Sequence, residues 1–337
     1  MHTLAKYGST YLEVQDCKYK NIHVFYNQHE GTHLDTILAN TITGFSNYIR
    51  EIKPDLIVVH GDRVEPLAAA FVGASNNILV AHIEGGEVSG TIDEGIRHAI
   101  TKLSHVHFVA NDEARQRVMG MGENESSIFP IGSPDIDLML SPNLPTLKEA
   151  KEKYEIPFNE YGILSYHPVV SELESLKMNM DRLISACWES NKNMIVIYPN
   201  NDPGSDIILH GYESIKNLKQ FRIFPSIRFE FFLTFLKNAK FIVGNSSAGI
   251  REAEVYGIPS INIGSRQRGR TAGNSVWHVS DDKAKILEAL TNIEDKPTIP
   301  TANSYGLGNS CVKFYEILKG DYVWRIPTQK SWKNIGQ

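Results

Sequence analysis

Asp55-Leu56-Ile57-Val58-Val59-His60-Gly61-Asp62-Arg63 decides how this chain folds. An unbroken apolar run of this length, rich in β-branched residues and closed by glycine, predicts a strand covered on both faces. Two more runs follow at similar intervals: Asn77-Ile78-Leu79-Val80-Ala81-His82 and His105-Val106-His107-Phe108-Val109-Ala110. Helix-length segments at 65–75 and 93–103 lie between them. The rhythm returns at 162–165, 194–198, 240–243 and 259–263. Strands alternating with helices predict βαβ units and parallel sheets, hence an α/β protein.

The chain has 337 residues, enough for two domains. The polar stretch Ser141-Pro142-Asn143-Leu144-Pro145-Thr146, just after Gly132-Ser133-Pro134, is the best linker. It divides the chain into two doubly wound halves facing a cleft. The first is residues 1–143 and the second, nucleotide-binding, begins at 144. The opening residues are polar and helix-like, whereas such a sheet usually opens with a central strand and a glycine-rich turn. The first domain is therefore expected to be incomplete at its start.

A net charge of -5 argues against nucleic acid as a partner. No run approaches the ~20 apolar residues that cross a membrane. Met1-His2-Thr3-Leu4-Ala5-Lys6 lacks a signal-peptide core, and Cys17, Cys187 and Cys311 are scattered and odd in number. A reducing, cytoplasmic setting is the expectation. His105 and His107 alternate within a strand without carboxylate or thiol companions, so no metal is expected.

Candidate functional residues gather where strands end, which is where open α/β sheets bind ligands. Asp62 follows the first strand. Its alternatives are a carboxylate doing chemistry and a cap for the next helix. Arg63 is either a surface residue or a phosphate clamp. Glu84 follows the second strand, and the paired Gly85-Gly86 lets a ligand approach the backbone. Thr91-x-x-Glu94 has the form of a capping box, which gives Glu94 a structural role. Asp93 in the first turn suits the helix dipole. Asp93 and Arg97 share a face. Ile92, Ile96, Ala99, Ile100 and Leu103 form the expected buried stripe, leaving Asp93 and Arg97 off the core side.

In the second half, His167 ends the strand 163–166 and is either structural or directed at the cleft. Gly244-Asn245-Ser246-Ser247-Ala248-Gly249 joins a strand to a helix, where free N–H groups and hydroxyls suit an anion. The alternative is that Ser246 or Ser247 only caps that helix. Glu252 is placed to accept from ribose hydroxyls. Arg266 follows the next strand, within reach of the same phosphates.

Together these motifs resemble the hydrolysing UDP-N-acetylglucosamine 2-epimerases of sialic-acid biosynthesis. The resemblance rests on His60-Gly61-Asp62-Arg63, His82-Ile83-Glu84-Gly85-Gly86-Glu87, Ile96-Arg97-His98, Tyr198-Pro199-Asn200, Gly244-Asn245-Ser246-Ser247 and Gly264-Ser265-Arg266-Gln267. It implies two Rossmann-like domains in the glycosyltransferase-B arrangement. It also implies a C-terminal helix packing back on the first domain, so that 144–317 is the second domain and 318–337 rejoins the first. Homodimers or homotetramers are implied, and no cofactor. By the same resemblance Ser246, Ser247, Arg63, His167 and Arg266 hold the diphosphate, and Glu252 holds the ribose. Asn200 and the Ile227 backbone line the nucleotide side, and His82 and Arg97 also bind substrate. Asp62, Glu84 and Asp93, with His167, are the catalytic set. Pro225 and Ser226 stand where animal relatives carry basic residues for a feedback inhibitor, so that regulation is not expected.

The implied reaction converts UDP-N-acetylglucosamine and water to N-acetylmannosamine and UDP, by elimination and then hydration. Neighbouring carboxylates raise one another's pKa, so one of the three is expected to stay protonated. The same chemistry on UDP-2,4-diacetamido-trideoxyglucose, for the legionaminic-acid route, is the alternative. A UDP-binding remnant without turnover is the other.

Overall fold

The computed structural model describes residues 2–89, 92–268, 274–293 and 305–331. The chain divides into two compact units. A C-proximal unit joins Met1–Lys20 to Ser141–Ala302, and an N-proximal unit joins Asn21–Leu140 to Asn303–Gln337. The opening helix α1 (Tyr11–Asp16) belongs to the C-proximal unit.

The N-proximal unit is built on four parallel strands in chain order: β1 (Leu56–His60), β2 (Leu79–Ile83), β3 (Val106–Val109) and β4 (Ile128–Pro130). Around them run α2 (Leu34–Ile52), α3 (Val64–Ser75), α4 (Ile92–Leu103), α5 (Asp112–Gly120) and α6 (Pro134–Met139). α5 starts where Asn111 accepts from the Ala114 N–H, with Asp112 and Glu113 favouring the positive helix end. Ile49, Ile57, Val59, Val72, Val80 and Ile100 close one core. Ala81, Val106, Phe108 and Ile131 close another. Each fully buried Val or Ile contributes about 2 kcal/mol of transfer free energy.

The C-proximal unit carries α7 (Leu147–Tyr154), α8 (Leu173–Glu189), α9 (Ser205–Glu213), α10 (Phe229–Lys237), α11 (Glu252–Tyr256) and α12 (Lys283–Asn292). Its strands are β5 (Gly162–Ser165), β6 (Met194–Ile197), β7 (Phe221–Phe224), β8 (Ile242–Gly244), β9 (Ser260–Ile263) and β10 (Val276–Val279). All are parallel, in the order β10-β9-β8-β5-β6-β7. Side chains alternate across this sheet: Ile163, Ile195 and Ile242 enter one core, and Leu164, Val196 and Val243 the other. The winding direction reverses at β5, which lies between β6 and β8. A crevice at such a switch point is the usual ligand site of an open α/β sheet.

Two expected boundaries are corrected. Residues 1–20, expected in the first domain, pack with the C-proximal unit. Tyr7 Oη lies 3.1 Å from Ser205 Oγ, and Lys6 Nζ pairs with Asp206 at 2.5 Å. The return to the N-proximal unit comes before helix α13 (Ser310–Lys319), not at 318. The Asp137 carboxylate accepts the Ser310 and Cys311 N–H groups at 2.9 and 2.7 Å, and the Phe314 ring centroid lies 4.8 Å from that of Phe108. The C-terminal helix thus packs on the first sheet, as expected. Among the described residues, no helix is long and apolar enough to cross a membrane.

Candidate active site

In the N-proximal unit the candidate residues sit at the carboxyl ends of β1 and β2 and at the start of α4. Asp62 is not a cap. The residue at the N-cap of α3 is Arg63, without a side-chain cap bond. Arg63 Nε lies 3.9 Å from Glu65. The Asp62 carboxylate instead accepts from Arg97 Nη2.

Arg97 overturns its expected exposure. It is 2% exposed, whereas Ile92, expected in the buried stripe, is 59% exposed. Arg97 Nη1 donates to the Glu87 carbonyl at 2.9 Å, and Nη2 lies 3.4 Å from Ser89 Oγ. One buried guanidinium therefore joins α4 to the β1 turn and to the loop after β2. Asp93 lies in the first turn of α4, one turn earlier. Thr91, the proposed capping residue, lies outside the described residues. Glu94 accepts from the Ser89 N–H at 2.8 Å.

Glu84 is 7% exposed and has φ +67°, the left-handed region that only a few per cent of non-glycine residues adopt. Such strain persists where the surroundings over-determine it, often at functional sites. Here Glu84 N–H donates to the Phe108 carbonyl at 2.9 Å, and Ser133 Oγ donates to Oε1 at 2.6 Å. His60 Nε2 lies 3.2 Å from Oε2. Gly86 completes the loop at φ +81°, where a Cβ would sit 2.3 Å from the Ala114 carbonyl oxygen.

His82, expected to bind substrate, is wholly buried, and both ring nitrogens are engaged inside the unit. Burial pushes its ring down to about 3, against the opposing pull of the Gly61 carbonyl. Beside it, His107 Nε2 lies 3.2 Å from Glu123 Oε2. Burial alone would raise Glu123, but hydrogen bonds from His107, Lys102 and Lys330 bring it down to about 2. His105 accepts from the Val80 N–H and meets the Thr328 carbonyl at 3.0 Å. The His105–His107 pair thus serves the fold.

These shifts set an acid dependence. Folded His82 and Glu123 each hold fewer protons than the unfolded chain, so stability rises with pH. The His82 contribution is present above 6.5 and is lost as pH falls towards about 3. That of Glu123 is lost between 4.5 and about 2. Urea midpoints measured at about pH 7.5, 6 and 5 should fall in that order; equal midpoints would contradict the assignment.

In the C-proximal unit the site forms at the switch between β5 and β8. His167 N–H donates to Asn245 Oδ1 at 2.7 Å, and Asn245 Nδ2 donates back to the His167 carbonyl at 2.8 Å. The Asn200 N–H donates to His167 Nδ1 at 3.1 Å, which leaves Nε2 to carry the ring proton. Arg266 Nη1 and Gln267 Nε2 donate to the Asn245 carbonyl at 3.2 and 2.8 Å. Gly244 has φ +133°, and a Cβ there would meet the Ser165 carbonyl oxygen at 2.0 Å. Ser246 caps the turn after β8 by accepting from the Ala248 N–H at 3.3 Å, and Ser247 follows, half-buried. The cap position of α11 itself is Arg251, so Ser246 caps only the single turn Ser247–Gly249. Glu252 starts α11, buried. Ile227 packs into the core of this unit. Asn200 Oδ1 is buried without a hydrogen-bond partner, while its Nδ2 donates to Asp202.

Sequence reading passed over Ser133, Thr101 and Asn245. Ser133 comes three residues after β4 ends at Pro130, so recognising that strand would have put it in the turn at a strand end. Asn245 stood in a quoted motif, but its bridging of His167 spans residues 78 apart.

The sequence profile of the family described as UDP-N-acetylglucosamine 2-epimerase matches residues 1–319. The chain belongs to this family. A protein of Neisseria meningitidis serogroup B named UDP-N-acetylglucosamine 2-epimerase is 44% identical over 99% of this chain and 89% of its own. One of Legionella pneumophila named UDP-N,N'-diacetylbacillosamine 2-epimerase (hydrolyzing) is 34% identical over 95% and 86%. A Methanocaldococcus jannaschii UDP-GlcNAc 2-epimerase, crystallised with UDP-GlcNAc and UDP, superposes with a TM-score of 0.75 at 23% identity, covering 90% of this chain and 86% of that one. That likeness bears out the fold class of this epimerase-family member: α/β, glycosyltransferase-B-like, with two parallel sheets.

Proposed function

We propose that this chain is a hydrolysing 2-epimerase that converts UDP-N-acetylglucosamine and water to N-acetylmannosamine and UDP. The observation that carries the reading is a pair of carboxylates, Asp62 and Glu84, at the ends of adjacent strands. Buried partners fix both. The 44% identical relative of that name supports it.

The C2 hydrogen of the sugar is far too weakly acidic for a carboxylate base in the ground state. Cleavage of the C1–O bond to UDP leads, and the developing oxocarbenium character acidifies C2–H. A carboxylate takes that proton, leaving 2-acetamidoglucal and UDP. Water then adds across C1=C2, its hydroxyl to C1 and a proton to C2 on the face that gives the manno configuration. The sequence is redox-neutral and asks for no cofactor. Asp62, Glu84 and Asp93 supply base and acid. Arg63, His167, Arg266, Ser246 and Ser247 stabilise the departing diphosphate. Glu252 holds the ribose, and Asn200 and Ile227 line the nucleotide side.

Reaction in D2O, followed by NMR, should place one solvent deuterium at C2 of the released N-acetylmannosamine. Product without deuterium at C2 would sink the elimination route. The Legionella relative supports a second reading, the same chemistry on UDP-2,4-diacetamido-trideoxyglucose. Turnover of the two sugars side by side decides between them by kcat/KM.

A further inference from the structure

His82 lies inside the N-proximal unit, two residues before Glu84, with no surface exposed. Its Nε2 is 2.9 Å from the Gly61 carbonyl oxygen, and its Nδ1 is 3.1 Å from Thr101 Oγ1. A carbonyl only accepts, so Nε2 carries the proton. On a neutral ring Nδ1 then accepts, and the Thr101 hydroxyl donates. Two partners thus lock one tautomer. Burial keeps the ring neutral, and His107, Arg97 and His60 all oppose its protonation.

The Gly61 carbonyl belongs to the peptide group that leads into Asp62. The amide on the other side of Gly61 donates to the Ile83 carbonyl at 3.2 Å. The chain entering Asp62 is therefore held on both sides, and the hold on the Gly61–Asp62 peptide plane comes from the His82 ring. Thr101 lies on α4 one turn beyond Arg97, which binds Asp62 from the same helix. The third connection is steric. A Cβ on Gly85 would sit 3.0 Å from both His82 Nδ1 and Thr101 Oγ1, so the loop just after Glu84 rests on this hydrogen bond.

We propose that His82 is a positioning residue for the epimerase reaction: one neutral imidazole ties the turn bearing Asp62 to the helix bearing Asp93 and Arg97, and seats the loop bearing Glu84. It does not touch substrate. The assignment rests on the function proposed above, and it replaces the substrate-binding role that resemblance suggested for this residue.

Three variants test it. His82→Leu removes both hydrogen bonds. Thr101→Val removes one at constant volume. His82→Gln restores a donor towards the Gly61 carbonyl. A misplacement of reacting groups by ~1 Å costs on the order of 100-fold, so His82→Leu should lose about that much in kcat and Thr101→Val about tenfold. His82→Gln should recover about tenfold over His82→Leu. KM and the UDP dissociation constant should stay within about twofold throughout, because a positioning residue leaves ground-state binding alone. The proposal is overturned if kcat is unchanged in all three, or if KM rises and UDP affinity falls in step with the loss of kcat. If His82→Leu does not fold, the other two variants carry the test. A second readout is independent of turnover: 15N NMR of the wild-type imidazole should show the neutral Nε2–H tautomer from about pH 8 down to about pH 5. A cationic or Nδ1–H ring overturns the assignment. A wild-type protein inactive on both UDP-sugars overturns the proposed function instead, and the NMR readout still judges His82.

Discussion

Asp62→Asn is expected to bind UDP as the wild type does and to turn over UDP-N-acetylglucosamine about 10³-fold more slowly, in the range lost with a general acid or base. Asparagine suits this test because it separates the two readings of the residue. Asn and Asp cap helices about equally well, so a capping role would survive the substitution. The structure already argues against that role, since Arg63 occupies the cap position of α3. Asn also keeps an oxygen for the Arg97 guanidinium to donate to. What it loses is the negative charge and the capacity to take a proton. Of the groups assigned to the nucleotide, His167, Asn200, Ser246, Ser247, Glu252 and Arg266 lie in the C-proximal unit and only Arg63 in the N-proximal one, so calorimetric UDP affinity is the control. Turnover within about threefold of wild type would remove Asp62 from the proton-handling set.

The strands that sequence reading found and those it missed differ in one physical respect. β2, β3, β5, β6 and β8 lie inside their sheets and carry apolar residues on both faces, and β9, also inside, alternates Ile261 and Ile263 with the buried polar Ser260 and Asn262. β4, β7 and β10, all unread, are edge strands. Ile128-Phe129-Pro130 is three residues ending in a proline, tolerated at an edge because the missing donor is not needed there. Phe221-Arg222-Ile223-Phe224 buries only its first residue fully, and so does Val276-Trp277-His278-Val279. β1 is also an edge strand and was read only because Leu56-Ile57-Val58-Val59 is apolar throughout, with Val58 44% exposed. Domain boundaries were legible to the extent that contacts are local. The Tyr7–Ser205 and Asp137–Ser310 contacts close over about two hundred residues, and no local pattern announces them.

The site was legible as chemistry and illegible as geometry. Acids at strand ends stood out because their residue types are unusual beside paired glycines. Which of them is held, and by what, depends on partners from other elements. Helical periodicity put Arg97 off the core side because it treats a charged residue as a solvent-seeking one. It cannot register that Asp62, from a turn 35 residues earlier, supplies the counter-charge that makes burial tolerable.

That counter-charge makes Arg97 the more costly residue to remove. Arg97→Met keeps most of the side-chain volume and deletes the guanidinium. It leaves the Asp62 carboxylate and the Glu87 carbonyl without the donor that now serves both. Breaking one partner of a buried ion pair costs about 3–5 kcal/mol, a large share of a typical domain's stability. Asp62 is 29% exposed on its side chain, so water recovers part of that cost and the lower end is expected. Turnover should fall with it, by about 10²-fold or more, because the β1 turn and the loop after β2 lose their common anchor. Arg97→Lys should not rescue it, since a point-charge ammonium cannot reproduce a planar fork that reaches two acceptors at once. The double variant Asp62→Asn with Arg97→Met closes the cycle: its stability loss should be smaller than the sum of the single losses by at least about 1 kcal/mol, because each single change already removes the charge pairing between the two side chains. Additive losses in urea denaturation would mean that Arg97 acts through the Glu87 carbonyl alone, and the guanidinium would then fix the loop without setting the position of Asp62.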